Sequence, residues 1–200
     1  MKKLVIASGN AGKLREIRAI LAPFGCEVLA QSSLGIADAE EPHHTFIENA
    51  LAKARHAAER SGLPALADDS GVCVLALGGE PGVHSARYAG DAGGRGQRDA
   101  RNNAKLVVAL AACSDRRACF YSAVVLVRHA ADPQPLIGEG YWWGEILDQA
   151  RGSNGFGYDP HFFLPDLGKT AAELDAGEKN RLSHRGQALR QLFDKLRSFP

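Results

Sequence analysis

The sequence has one methionine, two tryptophans and only 7% aromatic residues among its 200 positions, and it has no long apolar run. No stretch approaches the ~20 consecutive apolar residues that a membrane-spanning helix needs. The apolar segment after Lys2-Lys3 is too short for the core of a secretory signal. Net charge is also nearly absent. Twenty-four basic residues against 23 acidic ones leave +1, so no bulk field draws the chain to nucleic acid or a membrane surface. Any anion it binds must be held by a local cluster. The four cysteines form no CxxC pair, and scattered thiols without a secretory signal point to reduced side chains in the cytoplasm. Repeats, low-complexity tracts and interdomain linkers are missing, which leaves a single domain over 1–200 as the expectation.

What is present alternates between strand and helix signals. Residues 4–7 read as a buried strand, 13–21 as a helix with Leu14, Ile17 and Leu21 on one face, and 26–30 as a second strand. Residues 45–60 give the clearest helix: Thr45 and Glu48 have capping-box spacing, and Ile47, Leu51, Ala54 and Ala58 line one face. A short strand is expected at 64–67, stopped by Asp68-Asp69-Ser70-Gly71 and resuming at 72–77. A polar loop at 91–98 precedes a helix over 99–111, strands follow at 118–129 and 140–147, and Ser183 opens a last helix. This order predicts an α/β fold, and the consecutive strands of the second half predict a mixed sheet.

Ser8-Gly9-Asn10-Ala11-Gly12-Lys13 sits between the first strand and the first helix. Its glycines and lysine lack Walker A spacing, and Leu14 follows Lys13 where a Ser or Thr would be needed. A strand–turn–helix unit still offers unpaired amides and the positive end of a helix dipole, which suits an anion. A simple helix entry with a surface lysine is the competing reading. Adjacent Asp68 and Asp69 at the end of an apolar strand resist burial unless a cation compensates, and Mg²⁺ does so where phosphate is near. A solvated turn is the alternative there. Glu40-Glu41 reads as a loop acid pair, and Lys53 falls on the side of its helix away from the apolar face, where a solvent-facing lysine is the default. Gly152 to Pro160 places three glycines around Phe156 and Tyr158, a loop able to stack a base and present amides to its edge, or else a tight turn whose aromatics plug the core. His184 and Arg185 fall in the first turn of the last helix, against its dipole.

Six segments together, SGNAGK (8–13), TFIENALAKA (45–54), ADDSG (67–71), PGVHSARYAG (81–90), GFGYDP (155–160) and SHRGQAL (183–189), resemble the inosine triphosphate pyrophosphatases, also called dITP/XTP pyrophosphatases. The resemblance spans nearly the whole chain. It implies an elongated α/β fold with a long mixed sheet, two lobes with the nucleotide in the cleft between them, a homodimer, and Mg²⁺-dependent hydrolysis of deaminated purine nucleoside triphosphates to monophosphate and pyrophosphate. It further implies that Ser8, Gly9, Asn10, Ala11, Gly12, Lys13 and Lys53 hold the triphosphate. Asp69 would be general base or metal ligand, with Glu40 or Glu41 also at the metal. Ser70, Phe156, Gly157, Tyr158, Asp159, Lys179, His184 and Arg185 would surround sugar and base, the 155–159 amides and the His184/Arg185 pair supplying donors to a 6-oxo group. Two departures stand out: Pro42-His43-His44 replaces a glycine-containing connection, and residues 91–96 are unusually glycine-rich. A pyrophosphatase for another modified nucleotide and a non-catalytic nucleotide sensor are the alternatives.

Overall fold

The computed structural model describes residues 3–198. Seven strands form one sheet in the order β2-β1-β3-β4-β5-β6-β7. They are β1 (Lys3–Ile6), β2 (Glu27–Ala30), β3 (Ala65–Val74), β4 (Arg117–Val127), β5 (Leu136–Ile146), β6 (Phe162–Leu164) and β7 (Lys169–Thr170). The helices are α1 (Ala11–Leu21), α2 (Phe46–Ser61), α3 (Arg95–Ala109), α4 (Ala176–Leu182) and α5 (His184–Arg197). β1 pairs in parallel with β2 and β3, whereas β6 pairs antiparallel with β5 and β7, so the sheet is mixed as expected. No described helix is long and apolar enough to cross a membrane.

The chain forms two compact units and passes between them inside β3, β4 and β5. The first contains β1, β2, α1, α2 and α5. Its core joins Leu4 and Ile6 of β1 to Ile17 and Leu21 of α1 and to Leu189 and Leu192 of α5. β5 contributes Gly138 and Gly140 because α5 lies directly on them: a Cβ at Gly140 would stand 1.9 Å from the His184 carbonyl oxygen. Gly140→Ala must displace helix backbone, and we expect a loss of about 1–3 kcal/mol or more in urea unfolding. The second unit contains α3, α4, β6 and β7, around a core that includes Val72, Leu106, Phe120, Phe162 and Tyr158. Trp142 is buried in that core while Trp143 is exposed, as strand alternation requires.

Three expectations are corrected. β3 does not stop at Asp68; it runs through the acidic pair, because both carboxylates find cations (below) and burial no longer opposes extension. Gly71 aids this, since a Cβ there would meet the Gly82 carbonyl oxygen at 2.4 Å, and Ser85 Oγ accepts the Val72 amide at 2.9 Å. The buried face of α2 is Asn49, Ala50, Lys53, Ala54, Ala57 and Ala58, leaving Ile47 and Leu51 half-buried. α3 starts at Arg95, four positions before the expected 99, with Gly94 at its N-cap. The residues before α5 form α4, which Asp175 and Glu178 open with a reciprocal capping box; Ser183 ends α4 and stands in extended conformation immediately before α5.

Candidate active site

In the first unit the loop after β1 turns into α1 at Asn10, whose Oδ1 accepts the Lys13 amide at 3.0 Å, while the Asn10 amide donates to Ser8 Oγ at 3.2 Å. Ser8 is buried, and Gly9 leaves room for Asp38, whose carboxylate would lie 2.5 Å from a Cβ. Ala11 and Gly12 form the first helical turn and aim the Lys13 side chain at β3.

There the carboxylates of Asp68 and Asp69 divide. Asp68 is fully buried and meets Lys13 Nζ at 2.7 Å, Arg185 Nη2 at 3.2 Å and Ser122 Oγ at 2.5 Å. Burial pushes its carboxyl up, but Arg185 and Lys13 overcome that and hold it well below the usual carboxylate range. Asp69 points the other way and meets Lys53 Nζ at 2.8 Å. The same ammonium lies 2.9 Å from Glu41. Lys53 thus stands between two carboxylates, which outweigh its own burial and raise its pKa. Asp69 moves up as well, through desolvation first and repulsion from Glu41 further down, against the pull of Lys53. Its Oδ2 is buried without a hydrogen-bond partner. Lys13 is drawn down by burial and by the nearby cations Lys53 and Arg185, Asp68 opposing.

Helix α2 builds this arrangement. Thr45 caps it, its Oγ1 accepting the Glu48 amide at 3.3 Å and donating to Glu48 Oε2 at 2.6 Å. One turn on, Asn49 holds the His43 backbone at two points, accepting its amide at 3.0 Å and donating to its carbonyl at 3.1 Å. Lys53 follows one turn later, buried and not solvent-facing. Glu41 reaches it; Glu40 is exposed. No group of three or more His, Cys, Asp or Glu side chains able to hold a metal occurs among the described residues. Arg185 is 1% exposed and engages Asp68 and Glu16, so this guanidinium braces the acidic strand; His184 beside it is also buried. Glu16, Asn49 and Ser122 escaped the sequence reading as participants, although Glu16 lies three residues after Lys13 on the same helix face.

The second unit carries a separate constellation. Asp159 and Lys179 form a buried ion pair at 2.5 Å. Asp159 Oδ2 also accepts the Phe156 amide at 2.7 Å, and Asp99 Oδ2 accepts the Gly157 amide at 3.0 Å. Those two amides are therefore held by acidic side chains, contrary to the expectation that they stand ready for a ligand. Phe156 is half-buried, with Lys179 Nζ 4.7 Å and Arg95 Cζ 4.9 Å from its ring centre. Tyr158 takes the core-plugging alternative: it is 4% exposed and donates to the Ser85 carbonyl at 2.8 Å. Ser70 is half-buried on β3.

Residues 4–195 match the model of the Ham1 family. A dITP/XTP pyrophosphatase from Nitrosomonas europaea is 64% identical over 98% of this chain and 95% of its own length. One from Bordetella pertussis is 63% identical over 99% and 92% respectively. Among solved structures, a HAM1 protein from Coxiella burnetii superposes with a TM-score of 0.90 at 48% identity, covering 100% of both chains. A carboxylate–lysine centre behind a strand–turn–helix loop, on this mixed sheet and with these full-length matches, places the chain in the Ham1 family.

Proposed function

We propose that the protein hydrolyses deaminated purine nucleoside triphosphates, dITP, ITP and XTP, to the nucleoside monophosphate and pyrophosphate, keeping them out of DNA and RNA. The observation that carries this is the Asp69–Lys53–Glu41 cluster next to the Lys13–Asp68–Arg185 network, in a chain whose full-length relatives are named dITP/XTP pyrophosphatases. Cleavage between the α- and β-phosphorus needs charge neutralisation, an oriented water and a base for its proton. Lys13, Lys53 and the first-turn amides of α1 are assigned the phosphates. Asp69 is assigned the proton: its carboxylate is buried, raised in pKa and has one oxygen, Oδ2, available to a water.

The donor set also fits Mg²⁺. Two carboxylates around one ammonium leave a net negative charge, and the unpaired Asp69 Oδ2 is a hard oxygen ligand. Mg²⁺ commonly takes only one or two protein carboxylates, the remaining ligands being waters and substrate phosphates, so Asp69 and Glu41 suffice. When bound, the ion supplies Lewis-acid stabilisation of phosphoryl oxygens. Glu40 is exposed, which favours Glu41 in this role.

We assign the base to the Phe156 to Asp159 segment with Lys179, supported by the ring and the buried cation beside it. A homodimer in the cytoplasm completes the reading; the exposed Tyr141 and Trp143 on one face of β5 support a protein contact there.

A product assay with Mg²⁺ tests the proposal. We expect pyrophosphate from dITP and XTP with kcat/KM about 10²-fold or more above ATP, in line with the activity by which the full-length relatives are named. Orthophosphate as the first product, or equal turnover of ATP, refutes it.

A further inference from the structure

The glycine-rich stretch at 91–96 leads directly into α3, and nothing above gives that helix a task. Its residues Arg95, Asp99 and Asn103 recur every four positions and so form one stripe. All three meet the 155–159 loop. Asp99 Oδ2 accepts the Gly157 amide at 3.0 Å. Asn103 Nδ2 donates to the Gly157 carbonyl at 2.9 Å. The Arg95 guanidinium lies 4.9 Å from the Phe156 ring centre, with its Nε 3.9 Å from Asp99 Oδ2. Gly157 has φ +63, a left-handed conformation that frees both its polar groups from the local chain direction. Both are then tied to one helix.

Asn103 adds a second observation. It is 9% exposed, and its Oδ1 is buried with no hydrogen-bond partner. An unpaired buried oxygen is unfavourable, so packing alone would select an apolar residue here. The single bond to Gly157 is what the amide contributes.

We propose that Arg95, Asp99 and Asn103 are positioning residues for purine recognition: the α3 stripe fixes the Gly157 peptide and the Phe156 ring in the conformation that receives the base. This rests on the assignment of the loop to the base made above. The stripe acts through the loop and has no part in the phosphate chemistry, so its loss falls on substrate affinity and base selectivity.

The test compares Asp99→Ala, Asp99→Asn and Asn103→Ala with the unaltered protein, using dITP turnover and Gly157 amide hydrogen exchange. Asparagine still offers an oxygen to the Gly157 amide, whereas alanine offers none. We expect Asp99→Ala and Asn103→Ala to raise KM for dITP about tenfold, the scale of one such bond, with kcat changed less than threefold. Asp99→Asn should restore most of the loss, and Gly157 exchange should accelerate in Asp99→Ala but not in Asp99→Asn. Unchanged KM and unchanged exchange in the alanine variants overturn the proposal. So does a parallel fall in kcat and melting temperature that asparagine does not rescue, since that is a purely structural effect. If the unaltered protein releases no pyrophosphate from dITP, the functional reading fails, and the exchange measurement then judges the clamp by itself.

Discussion

Asp69→Asn lowers pyrophosphate release from dITP by at least ~100-fold while nucleotide binding survives, the scale of losing a general base. The substitution keeps the shape of the side chain and its oxygen toward Lys53, so the fold around β3 is preserved. What disappears is the capacity to accept a proton and the negative charge opposite Lys53. Asp69 is suited to the task because desolvation raises its pKa, making it a stronger base than an exposed aspartate. Steady-state turnover beside equilibrium binding of a nucleotide separates the two effects. Turnover within a few fold of the unaltered enzyme would remove Asp69 from the proton-transfer role, and lost binding would make it chiefly a ligand for metal and phosphate.

Arg185→Met removes about 3–5 kcal/mol of stability, the cost of leaving a buried carboxylate without its partner. The methionine fills similar space but removes one cation from beside Asp68, which keeps Lys13 and Ser122, and takes the guanidinium from Glu16. The pH dependence follows from the sign of the Asp68 shift. Its folded pKa is depressed, so the ion pair contributes fully above the ordinary value of 3.8 and is lost as pH falls through the folded value. The penalty of the substitution is therefore largest at neutral pH and shrinks below about pH 3.8. Denaturant unfolding of both proteins at several pH values measures it, and an effect below 1 kcal/mol at pH 7 would show Asp68 to be sufficiently held by Lys13.

What the sequence made legible was local. The alternation of apolar runs and amphipathic segments marked five of the seven strands, missing the short β6 and β7, and the long helices, and the mixed sheet followed from consecutive strands. Thr45 announced the start of α2 through its spacing to Glu48. The acidic pair announced a site through its own electrostatic difficulty. The fate of each charge was illegible because its partner lies far along the chain. Lys53 looked solvent-facing until Asp69 and Glu41 closed on it, and the brace that Arg185 gives Asp68, 117 positions away, left no local trace. The interrupted strand at 68–71 was wrong for the same reason: with no cation in view, two carboxylates end a strand. α4 is a different case. Its Asp175-x-x-Glu178 signal was present, but seven residues give too little apolar periodicity to stand out, and no helix was read before Ser183.

The two-point grip of Asn49 on His43 bears on how this chain tolerates change. The connection carrying Glu41 is anchored by a helix residue to backbone atoms, which every amino acid but proline supplies. Side chains at 42–44 can drift under mutation while the acid keeps its address. The position to guard in any redesign of the segment is Asn49, not the loop it holds.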